Sequence, residues 1–174
     1  NYDIEPDSND ALINIGASTV NINVMRGGTS VFIRDSSMGG NLYTEALQKE
    51  FNITYEDAER LKRGEALEKV TPEEASPLIM HASGDIIGEV SRSLDYFRTS
   101  THNPEIREVI LSGGCSLIKE FPRLLSEKVG ITVNKAEPFR NIKISRKLDA
   151  SYIEEIAPIA AVVVGLAIRR PGDR

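Results

Sequence analysis

Short runs rich in Ile and Val lie between polar and glycine-containing segments within the first 36 positions of the chain. In the run 19–25 the apolar positions recur at every second residue, which predicts a strand with one apolar and one polar face. Similar runs occupy 12–15 and 30–36, and glycine-containing segments separate the three runs. The pattern predicts a meander of three antiparallel strands joined by tight turns.

The apolar spacing becomes helical after Gly39 and Gly40. Intervals of three and four residues predict one helix that begins after this pair and a second helix that ends at Gly64. Thr71 is followed by a proline and, three residues later, by Glu74, a combination that satisfies two backbone donors at a helix start. Because apolar residues then recur for about seven turns, a long helix is predicted to begin there.

A strand, a turn, a helix and a strand are predicted in that order after residue 104. The four segments are a buried-type strand at 108–111, a glycine turn at 112–114, a helix to about 129 and a short strand at 131–133. Residues 136–150 are the best candidate for a long loop. The segments from 108 to 133 thus form one unit of strand, glycine turn, helix and strand.

The last predicted helix is the most apolar segment of the chain. Ser151 and Glu154 have the spacing of a capping box, which predicts that the helix starts at Ser151. Pro158 removes a backbone donor inside the helix and predicts a kink. The longest apolar stretch, 156–168, is interrupted by this proline and by Gly165, so no membrane-spanning helix is predicted.

Composition places the chain among folded globular domains, because 40% of its 174 residues are hydrophobic and 27% are charged. A net charge of -5 without a basic cluster argues against a nucleic-acid partner. The single cysteine, Cys115, has no partner for an internal disulfide, which favours a reducing, cytoplasmic location. The acidic segment 1–10 has no initiating methionine, so the chain is expected to be part of a longer protein.

The first candidate site is the turn between the first two predicted strands. Asn14 lies at the end of a strand, and Gly16, Ala17, Ser18 and Thr19 follow it. The backbone N–H groups and the two hydroxyls of such a turn suit an anion. The alternative is an ordinary hairpin in which the glycine only reverses the chain.

Two further candidate sites come later in the chain. Gly113 and Gly114 follow a strand and open a helix, where the absence of Cβ atoms lets a ligand approach the backbone. The alternative is a turn that serves chain reversal alone. Glu59 and Lys62 lie three positions apart on one helix and therefore point the same way, so they could hydrogen-bond a ribose. The alternative for this pair is a solvated surface ion pair.

The order of these segments resembles the superfamily that contains actin, heat-shock protein 70 and hexokinase. Five segments carry the resemblance: the second phosphate motif at 14–20, a glycine pair at 39–40, a nucleoside-contacting helix at 58–62, the adenosine motif at 110–114 and the small-residue hinge helix at 160–165. Within this superfamily the chain resembles the carboxyl-terminal half of the PilM family of type IV pilus assembly proteins, with the cell-division protein FtsA as a relative. The segments that carry this second resemblance are 32–35, 38–41, 56–64 and 155–167.

The resemblance implies a fold and a division into domains. The fold would be a ribonuclease-H-like α/β subdomain of the actin-like ATPase type, with a mixed sheet and helices. Residues 1–51 and 91–174 would form this nucleotide-binding subdomain, and residues 52–90 would form a small, mainly helical lobe inserted into it.

The resemblance also implies a ligand and partners. ATP would be bound, with Mg²⁺ held through the nucleotide, by Asn14, Gly16, Ala17, Ser18, Thr19, Gly39, Gly40, Glu59, Lys62, Gly113 and Gly114. The protein would be cytoplasmic and would associate with the cytoplasmic face of the inner membrane through its partners. These partners would be a PilN-like cytoplasmic tail, bound through the missing half, and pilus motor ATPases, with no nucleic acid among them.

Several alternatives stay open from the sequence. Position 14 is Asn where the superfamily favours Asp, so hydrolysis of ATP is less strongly implied than its binding. The chain could belong to an ATPase, to a scaffold with a structural ATP, or to a small-molecule kinase or cell-division protein of the same superfamily. No catalytic residue is assigned, and His81 and His102 lack partners at metal-ligand spacing. Valine at Gly113 is expected to weaken ATP binding by the full-length protein and to leave the fold intact.

Overall fold

The computed structural model describes residues 7–145 and 147–169. Its strands are β1 (Asn9–Ile15), β2 (Val20–Arg26), β3 (Thr29–Ser36), β4 (Ile106–Ser112) and β5 (Thr132–Lys135). They form one five-stranded sheet in the order β3-β2-β1-β4-β5. The first three strands pair antiparallel, so the predicted meander is confirmed, whereas β4 runs parallel to β1 and β5 runs parallel to β4.

Helices occupy most of the remaining described chain. They are α1 (Asn41–Phe51), α2 (Tyr55–Lys62), α3 (Pro72–Ser100), α4 (Phe121–Val129) and α5 (Ala150–Ala167). The predicted unit of strand, glycine turn, helix and strand is confirmed, with a short 3-10 helix (Gly114–Leu117) before α4.

One face of the sheet carries the main hydrophobic core. Ala11, Ile13 and Ile15 of β1 are at most 1% exposed and belong to one cluster with side chains of α1, α3 and α4. Full burial of each large apolar side chain contributes about 1.5–3 kcal/mol. Leu12 and Ile110 alternate with these core residues and therefore point to the other face, where α5 packs against β4.

A second, smaller cluster lies between the helices. Its fully or nearly buried members are Leu47, Ala58, Leu61, Val70 and Ala75, contributed by α1, α2, the following loop and the start of α3. The long helix α3 therefore contributes to both clusters. The predicted inserted lobe of residues 52–90 stays a prediction.

The start of α3 shows the predicted capping box. The Glu74 side chain accepts the backbone N–H of Thr71 at 2.8 Å, and Thr71 Oγ1 accepts the backbone N–H of Glu74 at 3.4 Å. Such a cap contributes about 1 kcal/mol and explains why 29 residues of helix begin sharply at this point.

The start of α5 corrects the sequence prediction. Asp149, and not Ser151, is the N-cap, and its carboxylate accepts the backbone N–H and the hydroxyl of Ser151. Both residues are competent caps, and the aspartate lies two positions earlier, where the loop ends.

Helix α5 is also more exposed than its apolar sequence suggests. Ile159, Val162, Val163 and Leu166 are each more than half exposed and form one stripe, which we call the α5 stripe. By length and apolar composition alone this helix could cross a membrane, contrary to the sequence prediction. Its packing against β4 and the 3-10 helix shows that in this structure it is a layer of the domain.

The turn between β2 and β3 consists of two exposed glycines. Gly27 and Gly28 have φ angles of 51° and 81°. A two-residue hairpin of this kind requires positive φ at both positions, which glycine adopts without a steric cost. The turn lies at the end of the sheet opposite to the β1–β2 turn, because the strands are antiparallel.

Candidate functional site: a cleft beyond the ends of β1 and β4

The β1–β2 turn forms one edge of the candidate site. The N–H of Gly16 donates to the carbonyl oxygen of Thr19 at 2.9 Å, which closes the turn. Ala17, Ser18 and Thr19 are exposed, and within the described ranges their N–H groups form no backbone hydrogen bond. The tip of the turn therefore presents N–H donors from which an anion could accept hydrogen bonds.

The glycine pair before α1 packs against this turn. The N–H groups of Gly40 and Asn41 donate to the carbonyl oxygens of Gly16 and Ala17 at 2.9 and 2.7 Å. A Cβ atom at Gly39 would lie 2.6 Å from the Gly16 carbonyl oxygen, so only glycine fits there. The pair was predicted to bind ATP, and the structure shows that it joins the start of α1 to the turn.

The two glycines after β4 have different environments. Gly113 has φ 88° and ψ 170°, and a Cβ atom there would lie 2.3 Å from the carbonyl oxygen of Ile15. Its N–H donates to the carbonyl oxygen of Pro158 at 2.9 Å. A Cβ atom at Gly114 would meet no atom within 4 Å. Gly113 is therefore required by chain packing, and Gly114 borders open space.

Glu59 and Lys62 form an ion pair that is bound to α1. Lys62 Nζ donates to Glu59 Oε1 at 2.5 Å and to Thr44 Oγ1 at 3.0 Å, and it lies 3.4 Å from the Gly40 carbonyl oxygen. The Lys62 and Glu59 side chains are 14% and 28% exposed. The pair is therefore not a freely solvated surface pair, which was the alternative left open by the sequence.

Two pKa shifts mark the same region. Burial raises the pKa of Glu59, but the hydrogen bonds from Lys62 and Thr44 and the charges of Lys62 and Arg63 outweigh it, so the pKa lies below its ordinary value. Burial raises the pKa of the Cys115 thiol to about 12, although the charge of Lys62 opposes this. The carboxylate is therefore charged at neutral pH, and the thiol is a neutral packing group.

These segments enclose a cleft of about 440 Å³. Its lining comes from the β1–β2 turn, α1, α2, the 3-10 helix and α5, and consists of Gly16, Ala17, Gly40, Glu59, Lys62, Arg63, Gly114, Cys115, Leu117, Ile118, Glu155 and Ile159. A space of this size, with an apolar wall and a few polar groups, is typical of a small-molecule site.

Three larger depressions lie elsewhere among the described residues. One of about 650 Å³ lies near the other ends of β1 and β4, around Asn9 and Arg107, and one of about 660 Å³ lies at the start of α2, around Thr54. A third, of about 490 Å³, lies between α5 and the loop after β5, around Phe139. None of the three includes a residue that the sequence assigned to a ligand. The 440 Å³ cleft is therefore the candidate site.

A row of polar side chains crosses the sheet beside the β1–β2 turn. Ser112 Oγ donates to Asn14 Oδ1 at 3.2 Å, Asn14 Nδ2 donates to Asn21 Oδ1 at 3.3 Å, and Asn21 Nδ2 donates to Asp35 Oδ1 at 2.8 Å. The paired register of β4, β1, β2 and β3 places these four residues side by side. Asn14 is therefore fixed by its neighbours and does not line the cleft.

Residues 4–171 match the family described as type IV pilus assembly protein PilM. The chain belongs to the PilM family. The predicted resemblance is thereby confirmed over nearly the whole sequence.

Solved structures of the PilM family and of more distant proteins share the fold. A chain of the PilM-PilN type IV pilus biogenesis complex is 26% identical, with a TM-score of 0.83 over 95% of this chain and 46% of that chain. MreB 5 of Spiroplasma citri bound to AMPPNP is 17% identical, with a TM-score of 0.66 over 96% and 54%. An archaeal actin homolog, Ta0583, in complex with ADP is 16% identical, with a TM-score of 0.65 over 97% and 52%. The predicted actin-like α/β fold is confirmed.

This PilM-family chain spans about half the length of the structures that it matches. The more distant two, at 17% and 16% identity, establish the fold alone.

The structure brings most of the predicted site residues together. Gly16, Ala17, Gly40, Glu59, Lys62 and Gly114 line the cleft. The other predicted residues, Asn14, Ser18, Thr19, Gly39 and Gly113, lie next to it in the segments described above. A role of any of them in binding stays a prediction.

Thr44 is a site residue that the sequence reasoning missed. It is 1% exposed and contacts both Glu59 and Lys62. A signal was available, because Thr44 lies between Tyr43 and Leu47 on the buried face of an amphipathic helix, where a hydroxyl needs a partner.

The same residues give a poor fit to a directly bound metal ion. Asn14 is a neutral amide whose oxygen already accepts from Ser112. Within residues 7–145 and 147–169, no group of three or more His, Cys, Asp or Glu side chains is placed to hold a metal ion. The prediction that Mg²⁺ is held through the phosphates of a nucleotide stays a prediction.

Proposed function

We propose that this chain forms one wall of an ATP-binding cleft in an actin-like protein of type IV pilus assembly. The observation that carries the proposal is the convergence of three separate segments on one cleft, namely the turn at Gly16 and Ala17, the pair Glu59 and Lys62, and the open position at Gly114. Each of these segments is also a candidate ligand site by its sequence alone.

Each segment suits a different part of the nucleotide. The open space at Gly114 and the apolar wall at Leu117, Ile118 and Ile159 suit the adenosine moiety. The Glu59 carboxylate suits the ribose hydroxyls, which are hydrogen-bond donors. The exposed N–H groups at Ala17 and Ser18 suit the phosphates. The relatives bound to AMPPNP and ADP support this assignment.

A second candidate function is a scaffold in which ATP is a structural ligand and is not hydrolysed. The amide at Asn14 favours it, because this amide is hydrogen-bonded to Ser112 and Asn21 and offers no negative charge to a metal-bound water. ATP would then stabilise the folded protein by mass action alone.

We also propose the surroundings in which the cleft acts. The match to a PilM-PilN complex supports a PilN-like partner. The protein would lie on the cytoplasmic face of the inner membrane through this partner, and pilus motor ATPases are further candidate partners. The α5 stripe borders the cleft at Ile159 and would pack against the part of the protein that closes the cleft from the other side.

The test uses the full-length protein. Titration calorimetry with ATP, the nucleotide released from denatured protein and the rate of phosphate release are measured on one preparation. Bound ATP with steady phosphate release supports an ATPase, and bound ATP without release supports the scaffold. Absence of ATP binding, with no nucleotide released on denaturation, would contradict the proposed function.

A further inference from the structure

We propose that Thr44 is the positioning residue of the nucleotide site, an inference that rests on the proposed ATP binding. Thr44 lies on α1, one helical turn after Gly40, and is 1% exposed. It does not line the cleft. It acts through Glu59 and Lys62, the two side chains of α2 that face the nucleoside in the proposed function.

One buried hydroxyl contacts both side chains. Thr44 Oγ1 donates to Glu59 Oε1 at 2.5 Å and accepts from Lys62 Nζ at 3.0 Å. Lys62 Nζ donates to the same carboxylate oxygen. Because Oε1 carries both of these bonds, Oε2 is the oxygen of Glu59 that is available to a ribose hydroxyl.

The hydroxyl also connects the nucleoside side of the cleft to its phosphate side. The first residues of α1 are bound to the β1–β2 turn, since Gly40 N–H donates to Gly16 and Asn41 N–H donates to Ala17. Thr44 continues this chain of contacts from α1 to α2. It thereby fixes the distance between the group that binds the ribose and the turn that binds the phosphates.

Such positioning predicts a selective effect on the ribose. A buried hydroxyl that only supported the fold would affect all nucleotides alike. Removal of a hydroxyl that orients Glu59 should lower the affinity for a nucleotide with ribose hydroxyls more than for one without them. Only the nucleotide with ribose hydroxyls donates a hydrogen bond to the carboxylate. ATP and 2′,3′-dideoxy-ATP are therefore the two probes.

The variants are Thr44→Val, which keeps the shape and removes the hydroxyl, and Thr44→Ser, which restores it. The control is Ser93→Ala, which removes another buried helical hydroxyl whose hydrogen bond is to the Glu89 carbonyl of its own helix. Affinities for both probes are measured by calorimetry on the full-length protein, and folding is checked by thermal unfolding.

For Thr44→Val we expect ATP affinity to fall about tenfold, the size expected for a lost hydrogen bond to a charged group. The preference for ATP over 2′,3′-dideoxy-ATP should fall with it, and Thr44→Ser should restore both. Ser93→Ala should leave both unchanged. If Thr44→Val does not fold, Thr44→Ala replaces it with the same expected result.

Two outcomes would contradict the inference in different ways. An unchanged preference between the probes in a folded Thr44→Val or Thr44→Ala protein, or a loss that Thr44→Ser does not restore, would overturn the role of Thr44 alone. Failure of the unsubstituted protein to bind ATP would overturn the proposed function and this inference together.

Discussion

The backbone N–H of Gly113 donates a 2.9 Å hydrogen bond to the carbonyl oxygen of Pro158, which fixes α5 against the end of β4. Helix α5 supplies Glu155 and Ile159 to the cleft, so this bond helps to hold that wall in place. The glycine that makes the bond also packs against the backbone of Ile15. The contacts of Gly113 are therefore structural, whereas Gly114 borders open space in the cleft.

We expect Gly113→Val to destabilise the fold, contrary to the expectation from sequence. The substitution would place a branched side chain at φ 88° and 2.3 Å from a carbonyl oxygen, where nothing flexible can move aside. The free energy of unfolding should fall by more than about 3 kcal/mol. Denaturant unfolding measures it, and a loss below about 1 kcal/mol would contradict the assigned packing.

Gly114→Val should weaken ATP binding and leave the stability of the fold nearly unchanged. A Cβ atom there meets no atom within 4 Å, so the side chain can enter the cleft without straining the chain. ATP affinity of the full-length protein should fall at least tenfold, while the thermal midpoint changes by a few degrees at most. Undiminished ATP affinity in the folded variant would remove the adenosine assignment at this turn.

Glu59→Ala should weaken ATP binding more than Glu127→Ala does. Glu59 lines the cleft, whereas Glu127 is 59% exposed and pairs with Arg123 on the surface of α4. Loss of a charge-assisted hydrogen bond to the ribose predicts a decrease of about tenfold for Glu59→Ala and less than twofold for the control. Calorimetry with ATP measures the affinity of both variants. Equal decreases in affinity would show that Glu59 has a structural role and does not bind the ribose.

The free energy of unfolding should depend on pH through the titration of the Glu59 carboxylate. The folded-state pKa of Glu59 lies below its ordinary value of 4.5, so the charged form stabilises the fold above that value. This contribution is lost as the pH falls through the folded-state pKa. The stability difference between the unsubstituted protein and Glu59→Gln should be constant from neutral pH to about 5 and should shrink in more acid solution. A difference that grows on acidification would contradict the assigned hydrogen bonds.

The chain of residues 1–174 on its own should fold and show no ATP turnover above background. Its two hydrophobic clusters are internal to the chain, which favours cooperative unfolding. The chain spans about half the length of the structures that it matches, and in the proposed function the other wall of the cleft comes from outside these residues. Asn14 also offers no carboxylate to the reaction. Steady phosphate release by the purified chain would show that the catalytic groups lie within these residues.

Local patterns in the sequence predicted most of the secondary structure. The alternating runs predicted β1, β2 and β3, and the spacing of Thr71 and Glu74 predicted the start of α3, because both signals depend only on neighbouring residues. The predicted start of α5 was wrong, because Asp149 and Ser151 are both competent caps and neighbouring residues alone do not rank them.

Contacts between distant segments could not be predicted in this way. The sequence showed glycine at positions 39 and 113 and suggested a nearby ligand, but the atoms that exclude a side chain there belong to Gly16, Ala17 and Ile15. The position of Thr44 against α2 likewise depends on how two helices pack.

The Gly27–Gly28 turn offers a place to attach a reporter. It is exposed, a side chain at Gly28 would meet no atom within 4 Å, and it lies at the end of the sheet remote from the cleft. An epitope or fluorophore-binding peptide inserted between the two glycines should leave the nucleotide site intact, because loop tips tolerate insertion at a modest entropic cost. The protein could then be followed in living cells with its cleft unmodified.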